Sequence, residues 1–297
     1  MEVEVEGREL RLTNLEKVLY PATGFTKGAV LDYYARVAGV LLPHVAGRPL
    51  TLRRLPDGTG VRAEFEKCCP EHRPDWLTVA VVPRVRGGED MPFCVVDDLP
   101  SLMWSANLAN LELHPMLARV PGLDAPTAVA FDLDPGPAAG LLEAAGIALL
   151  LRDVLAGIGL DSRAKTSGGK GMQVFVPLNT PVAYARTRAF ARTVAELLAG
   201  RMPQRVTAVV ARRERRGRVL VDWGQNAAHK SIVAPYSLRG RDRPVVSAPL
   251  HWDEVRAAVD AGDAAALEFE AGAMLERVER EGDVWAPVAE LRQALPG

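Results

Sequence analysis

The chain has 297 residues, of which 48% are hydrophobic and 25% are charged, as in ordinary globular proteins that bury a full-sized core. Its formal net charge of -1 excludes the overall positive field that is typical of nucleic-acid-binding proteins, so local basic clusters must bind any anionic partner. The N-terminal sequence lacks the features of a signal peptide, and no apolar run has membrane-spanning length. We therefore expect a cytoplasmic protein with no membrane partner.

The first part of the chain predicts a helix, a group of strands and a second helix. The first helix is expected to begin after Thr26, which can cap it, and to be interrupted at Pro43. A strand and a turn are expected over residues 48–58. Residues Ser101 to Glu112 predict the second helix. Strands joined by turns are expected before that helix, in a segment from Trp76 to Val96 whose apolar runs are separated by Pro83, Gly87 and Gly88.

The second part of the chain opens with an apolar strand over residues 127–136, which stops at a Pro-Gly turn. A long aliphatic helix is expected from about residue 140 to residue 157. The next helix is expected to be capped by Thr180, with Pro181 in its first position and Gly200 after its last turn. This alternation of strands and helices predicts a mixed architecture.

Three aspartates at strand ends form the strongest chemical signal. Asp132 and Asp134 are two residues apart on an apolar strand, so their side chains project from the same face. Asp222 ends a second apolar strand over residues 217–223 and can join them if the strands are neighbours. Three carboxylates suit two divalent cations, and oxygen ligands favour magnesium or manganese. The alternative is that Asp-x-Asp before Pro-Gly only forms a turn.

A glycine-rich turn lies between the acidic strands and precedes another apolar strand. Its backbone amides can approach an anion closely, and Lys165 and Lys170 add positive charge. A glycine-rich hairpin alone is a weak signal for phosphate binding. The residues of the turn are Ser167, Gly168, Gly169, Lys170 and Gly171.

The cysteines do not predict a disulfide framework. Cys68, Cys69 and Cys94 are odd in number, and none forms a CxxC pair. Cys68, Cys69 and His72 can be interpreted as three zinc ligands, but no fourth ligand lies at a usual spacing. We therefore expect buried thiols.

The order of the chemical motifs resembles one protein family. These motifs are DLDPG, SGGKGMQV, GRVLVDWGQN and APYSLRGR, and with several N-terminal segments they look like the polymerase domain of bacterial ligase D, in the archaeo-eukaryotic primase superfamily. The resemblance covers nearly the whole chain. It implies one α+β domain over residues 1–297, with mixed and antiparallel sheets flanked by helices in two tightly joined lobes, an N-terminal lobe of about 1–124 and a catalytic lobe of about 125–297.

The resemblance implies an enzyme that adds NTP or dNTP to a primer 3′ end during double-strand break repair by non-homologous end joining. Asp132, Asp134 and Asp222 match the catalytic triad that binds two ions, Mn²⁺ or Mg²⁺. The residues that match the nucleotide-binding segments are Ser167, Gly168, Gly169, Lys170, Gly171, Gln173, Lys230 and Arg239.

The resemblance also implies how DNA is held. Lys17 and Lys27 match residues that grip the 5′-phosphate of a DNA end or gapped duplex, and Phe65 and Lys67 match an element near the template strand. Lysines on a phosphate give affinity without sequence information, whereas an aromatic face stacks on a base. Ku and a separate DNA ligase are expected partners of a stand-alone, nucleoid-associated protein, because the chain contains no lysine-centred ligase motif. Each lysine taken alone can equally be a solvated surface charge.

One departure from the family concerns the residue after the glycine-rich turn. The family has a histidine that contacts the triphosphate, and this chain has Gln173, which cannot carry a positive charge. We expect weaker nucleotide incorporation, which a Gln173→His substitution should raise. Two alternative functions therefore stay open. The first is a DNA-end-binding protein with weakened catalysis that recruits repair partners. The second, which is less favoured, is another two-metal enzyme such as a nuclease.

Basic clusters flank the predicted metal site in the sequence. Phosphate binding by such clusters predicts an affinity that falls steeply with salt, and the alternative is a solvated hairpin tip. The clusters consist of Arg212, Arg213, Arg215, Arg216 and Arg218 before Asp222, and of Arg239, Arg241 and Arg243 after it.

Overall fold

The structure is a computed structural model that describes residues 1–83 and 89–297, and the chain divides into two compact units. The predicted turn at Gly87 and Gly88 lies outside the described residues. The single domain and the boundary near residue 124 stay predictions. The first unit consists of Met1–Pro121, Ser231–Val246 and Glu270–Asp283, and the second of Gly122–Lys230, Ser247–Phe269 and Val284–Gly297.

The first unit contains two short hairpins and a five-stranded antiparallel sheet. In that sheet the strand order is β6-β5-β8-β7, with β9 also paired to β5. The elements are β1 Glu2–Val5, β2 Arg8–Arg11, β3 Val18–Tyr20, β4 Phe25–Thr26, α1 Lys27–Val45, β5 Leu50–Arg54, β6 Glu64–Glu66, β7 Val79–Val82, β8 Met91–Cys94, α2 Leu99–Asn107, β9 Asn110–Pro115 and, later in the chain, α6 Ala271–Glu281.

The second unit contains a six-stranded mixed sheet in the order β13-β14-β10-β12-β11-β15, in which only the β13–β14 pair is parallel. Helix α3 packs on β10 and β12. The elements are β10 Ala128–Pro135, α3 Leu141–Ala156, β11 Arg163–Thr166, β12 Met172–Pro177, α4 Tyr184–Arg201, β13 Val206–Thr207, β14 Val219–Asp222, β15 Pro249–Leu250, α5 Trp252–Ala261 and α7 Ala286–Glu290.

The alternation along β10 decides which side chains can be functional. Val129, Phe131 and Leu133 are fully buried in the core with α3. Successive side chains of a strand point to opposite faces, so Asp132 and Asp134 lie on the face away from that core. The neighbouring strands follow the same alternation, which gives the sheet one apolar face and one face with polar residues.

The first helix begins where it was predicted and ends later. The hydroxyl of Thr26 accepts a hydrogen bond from Ala29 N at 3.2 Å, which caps α1. Pro43 lies inside the last turn and does not end the helix, which continues to Val45. A proline removes only its own N–H donor, and Ala46 N still donates to Leu42 O at 2.9 Å.

Two other predicted helix ends are wrong. Helix α2 ends at Asn107, and Glu112 lies in β9, because Ala109 adopts a left-handed φ of 56° that breaks the helix. Thr180 does not cap α4, which has Ala183 as its N-cap and includes Gly200. The Thr180 hydroxyl instead donates to Gln293 O at 2.8 Å in the C-terminal segment.

The expectation of buried thiols without a disulfide is also wrong. Cys69 and Cys94 form a disulfide with an S–S distance of 2.03 Å, and Cys68 is exposed. Cys69 N donates to Pro92 O at 2.6 Å, which holds the segment before β7 beside β8. A zinc site that uses Cys69 is therefore excluded. Within the part of the chain that the structure describes, no helix is both long and apolar enough to span a membrane.

Candidate functional site

The strand register aligns four polar side chains across the second unit's sheet. Asp132 lies opposite Asp222 on β14 and opposite Gln173 on β12, and Gln173 lies opposite Lys165 on β11. Residues directly opposite each other on neighbouring strands project from the same face, with Cβ atoms about 5 Å apart. We name the series Asp222, Asp132, Gln173 and Lys165 the polar row. The predicted approach of Asp222 to Asp132 thus follows from the register.

The charges around Asp132 are unbalanced. Loss of solvation raises the pKa of this partly buried carboxyl to about 6, and the negative charges of Asp134 and Asp222 add to the rise. The hydrogen bond from Gln173 and the positive charge of Lys165 oppose the rise without cancelling it. A site in which carboxylates repel one another favours the arrival of a cation.

The other two aspartates have partners of their own. Asp134, whose side chain is 53% exposed, forms an ion pair with Arg215. The Asp222 carboxylate accepts hydrogen bonds from Gly224 N at 2.8 Å and from Gln225 Nε2 at 3.2 Å. Among the described residues, no three His, Cys, Asp or Glu side chains are arranged to hold a metal ion. The triad therefore shares a face without forming a closed ligand set, and Arg215 already engages Asp134.

The turn after β10 requires glycine because it touches the segment that carries Arg215. A Cβ on Gly136 would lie 1.9 Å from the carbonyl oxygen of Arg215, which no alanine can accommodate without backbone movement. Gly136 N also donates to Arg218 O at 2.9 Å. The Pro-Gly sequence therefore sets the distance between Asp134 and the basic segment before β14.

The glycine-rich turn packs directly on the acidic strand. Ser167 N donates to Gly171 O at 2.9 Å and closes the turn, and Gly168 has a positive φ of 66°. A Cβ on Gly171 would lie 2.6 Å from the carbonyl oxygen of Leu133, the residue between the two aspartates of β10. The turn with its exposed Lys170 is thus next to the carboxylates.

The side chains of Gln173 and Lys165 are both buried, unlike those of residues that contact a ligand at a solvent-exposed site. Gln173 is 3% exposed and Lys165 is fully buried. The Gln173 amide donates to Asp132 Oδ1 at 3.1 Å and accepts a hydrogen bond from Lys165 Nζ. The sequence indicated Lys165 only as a positive charge near the turn, and its place in the polar row was missed.

The remaining residues predicted to bind nucleotide lie in different units. Lys230 is exposed in the loop after β14 of the second unit. Arg239 belongs to the first unit, where its side chain is 15% exposed and its Nε lies 3.4 Å from Glu112 Oε1. Their predicted roles toward a nucleotide stay predictions.

The structure brings the two predicted phosphate-binding lysines together in the first unit. Lys27 N donates to Lys17 O at 2.8 Å. Lys17 Nζ lies 3.0 Å from the exposed Asp57, whereas Lys27 Nζ donates to Thr13 O at 2.6 Å. Burial lowers the pKa of Lys27, and the positive charge of Lys17 lowers it further. The positive charge of Lys17 is thus close enough to Lys27 to disfavour its protonated form, although each ammonium group has a partner of its own.

Phe65 and Lys67 are both available to a partner. The Phe65 side chain is 65% exposed, and the guanidinium of Arg53 lies 5.4 Å from its ring centroid. Lys67 is exposed one residue beyond β6. An exposed ring flanked by positive charge is a suitable surface for stacking an unpaired base.

A charged cluster around Glu112 was not predicted from the sequence. Glu112 is fully buried, accepts a hydrogen bond from Gly240 N at 2.8 Å, lies 2.8 Å from His114 Nε2 and pairs with Arg53 and Arg239. Burial alone raises the pKa of Glu112, but the hydrogen bond from His114 and the two arginine charges outweigh it and hold the pKa at about 2. The alternation of Leu111 and Leu113 in NLELHP is the signal of a strand that would have revealed it.

Comparisons with known proteins show which family the chain resembles. The family model described as LigD, primase-polymerase domain, matches residues 26–285. The multifunctional non-homologous end joining protein LigD of Mycolicibacterium smegmatis is 40% identical over 281 residues, which cover 94% of this chain and 36% of that protein. The bifunctional non-homologous end joining protein LigD of Bacillus subtilis is 30% identical over 275 residues, which cover 92% of this chain and 43% of that protein. The chain thus spans less than half the length of these two relatives.

A solved structure gives the same result for the fold. The polymerase domain from Mycobacterium tuberculosis ligase D in complex with DNA matches with a TM-score of 0.87 and 39% identity, covering 96% of this chain and 99% of that chain. The predicted α+β primase-polymerase fold is confirmed. From the matched residues, the identity and the fold together, the chain belongs to the LigD primase-polymerase domain family.

Proposed function

We propose that the chain is a DNA-directed nucleotidyltransferase of the primase-polymerase type, which adds NTP or dNTP to a primer 3′ end during non-homologous end joining. The observation that carries the proposal is the position of Asp132, Asp134 and Asp222 on one sheet face beside the Ser167–Gly171 turn. Family membership supports the reaction, and the relatives' names support its place in end joining.

The three carboxylates have the ligand chemistry for a pair of divalent cations, although their present arrangement is not a closed ligand set. Carboxylate oxygens suit Mn²⁺ or Mg²⁺. Burial, with a further contribution from the charges of Asp134 and Asp222, raises the pKa of Asp132 to about 6, and a bound cation would favour its ionised form. When bound, two such ions activate a 3′-hydroxyl and stabilise the oxygen that leaves with pyrophosphate. Asp134 must exchange Arg215 for a cation to become a ligand.

The glycine-rich turn supplies the groups that would hold the triphosphate. Backbone N–H groups of a tight glycine turn can approach anionic oxygen atoms without obstruction by side chains. Lys170 adds an exposed positive charge, and the contact of Gly171 with Leu133 keeps the turn beside the acidic strand. These residues bind and orient the nucleotide.

DNA ends are the proposed partner. Lys17 and Lys27 would bind a 5′-phosphate, and Phe65 with Lys67 would contact the template strand; a relative solved in complex with DNA supports this choice. Affinity that depends on the phosphate should fall steeply with salt. Ku and a separate ligase would act at the same DNA end.

The test is primer extension on a gapped duplex with a downstream 5′-phosphate, with Mn²⁺ and either ribo- or deoxyribonucleotides. Asp134→Ala should lower incorporation by about 100-fold or more, because even residues behind metal ligands are worth about 10–100-fold. The matched control is Asp260→Ala, which removes an exposed aspartate on α5 and should leave incorporation unchanged. Equal activity in both variants would sink the proposal.

A DNA-end-binding protein with weakened catalysis is the second candidate. The observation that favours it is the pairing of Asp134 with Arg215, which leaves no closed ligand set among the described residues. Tight binding that requires the 5′-phosphate and is lost in Lys17→Ala, without incorporation under either metal, would establish this function. Metal-dependent cutting of the strand would instead indicate a nuclease.

A further inference from the structure

The polar row continues beyond the carboxylates into two buried side chains. Gln173 donates from Nε2 to Asp132 Oδ1 at 3.1 Å, and Lys165 Nζ donates to Gln173 Oε1. Lys165 Nζ also donates to the hydroxyl of Ser247 at 2.7 Å and lies 5.8 Å from the ring centroid of Phe175. Two neighbours besides Gln173 therefore hold the ammonium at one position.

The charges on either side fix the orientation of the Gln173 amide. A lysine ammonium offers only donors and an ionised carboxylate only acceptors, so the amide oxygen must face Lys165 and the amide nitrogen must face Asp132. Both ends of the amide are engaged, and Gln173 is 3% exposed. In this arrangement no polar group of Gln173 is directed at a triphosphate in the open part of the site.

Lys165 disfavours a protonated histidine at position 173. A protonated imidazole has a donor on each nitrogen, so one N–H would face the Lys165 ammonium and repel it. A glutamine presents an acceptor to Lys165 and a donor to Asp132 without any change of charge. The hydrogen-bonding groups of Gln173 are thus complementary to those of Lys165 and Asp132.

We propose that Gln173 and Lys165 are positioning residues that hold the Asp132 carboxylate for its cations, and that Gln173 does not contact the incoming nucleotide. The amide occupies Oδ1 of Asp132 and limits the rotamer of the carboxylate, which leaves the other oxygen for a cation held with Asp134 and Asp222. Groups behind a metal ligand commonly act in this way. The inference rests on the proposed metal-dependent function.

The test measures Mn²⁺ binding directly, by the electron paramagnetic resonance signal of free Mn²⁺ in titrations without nucleotide. Gln173→Leu and Lys165→Met should each weaken Mn²⁺ binding by about tenfold. Nucleotide KM at saturating Mn²⁺ should stay within about twofold in both variants, because the triphosphate contacts remain. If Lys165 acts through Gln173, Lys165→Met should add little in the Gln173→Leu background.

Controls separate this role from a general loss of stability. Thr187→Val removes a buried hydroxyl of α4 in the same unit and should leave Mn²⁺ affinity unchanged. Lys165→Arg keeps a cationic donor, so it should retain more affinity than Lys165→Met. If Lys165→Met does not fold, the loss of Mn²⁺ affinity in Gln173→Leu decides the test. A Gln173→His substitution should not raise incorporation, contrary to the expectation from sequence.

The outcomes distinguish this inference from the proposed function. A raised nucleotide KM with unchanged Mn²⁺ affinity in Gln173→Leu would overturn the inference and restore Gln173 as a nucleotide contact. If Asp134→Ala abolishes Mn²⁺ binding while Gln173→Leu and Lys165→Met do not change it, only the positioning role fails. If the unmodified chain binds no Mn²⁺, the proposed function fails as well.

Discussion

Glu112 in the first unit and Asp132 in the second are carboxylates that lose solvent in the fold, yet their pKa values move in opposite directions. Glu112 is surrounded by two arginines, a histidine and a backbone N–H, which hold its pKa at about 2. Burial raises the pKa of Asp132 to about 6, and the two neighbouring carboxylates add to the rise. Burial opposes ionisation in both places, so the neighbouring charges decide the difference.

The comparison indicates what each cluster can do. The charge of Glu112 is compensated by the chain itself, so this cluster can stabilise the folded state without a ligand. Around Asp132, the hydrogen bond from Gln173 and the charge of Lys165 only partly offset burial and the two neighbouring carboxylates, so this part of the polar row is destabilising in the absence of a bound cation. Functional sites commonly retain such unfavourable charge, because the ligand provides the missing interaction.

Substitution of Glu112 should have the largest effect on stability. Glu112→Gln leaves Arg53 and Arg239 without their carboxylate, and breaking a buried ion pair from one side costs about 3–5 kcal/mol of the free energy of unfolding. Urea unfolding at pH 7 measures the loss. Glu64→Gln is the matched control, because Glu64 is exposed and lies 3.8 Å from Arg54, a pair worth about 1 kcal/mol or less. Equal losses in the two variants would contradict the prediction.

The stability of the first unit should depend on pH through the same group. The pKa of Glu112 is lowered from 4.5 to about 2 on folding, so its stabilisation is complete above pH 4.5 and is lost as the pH falls from there toward 2. The loss should amount to about 3 kcal/mol. The difference in unfolding free energy between the unmodified chain and Glu112→Gln should therefore shrink over this range. Parallel curves down to pH 2 would show that Glu112 is not the group responsible.

The carboxylates of the polar row could be predicted from the sequence, but their buried partners could not. The period-two alternation of β10 predicted that Asp132 and Asp134 share a face, and the apolar run before Asp222 predicted a second strand end, without deciding whether the two strands are neighbours. Both were local patterns. The partner residues Gln173 and Lys165 depend on a register among β10, β11 and β12, which is set by tertiary packing and shifts every side chain to the other face if it slips by one residue.

The Glu112 cluster was missed for a local reason. Residues up to Glu112 were predicted as helix, since the helical pattern of α2 continues into the sequence before NLELHP. The left-handed φ of Ala109 ends that pattern, and an alanine gives no sign of it. The disulfide between Cys69 and Cys94 was missed because the two residues are 25 positions apart in sequence and meet only where the segment before β7 folds back along β8, through the hydrogen bond from Cys69 N to Pro92 O.

The smallest predicted change in stability has the opposite sign to that of Glu112→Gln. Asp132→Asn removes one of two like charges that lie opposite each other on β10 and β14, so without metal the free energy of unfolding should rise by about 1 kcal/mol. Asp260→Asn, on the exposed face of α5, is the control and should change little.

Mn²⁺ should raise the melting temperature of the unmodified chain by binding the folded state, and this rise should be lost in Asp132→Asn. If Asp132→Asn instead destabilises the metal-free chain as Glu112→Gln does, then the carboxylate of Asp132 is already compensated by Gln173 and Lys165. The contrast between the two clusters would then not explain why a cation binds at one of them.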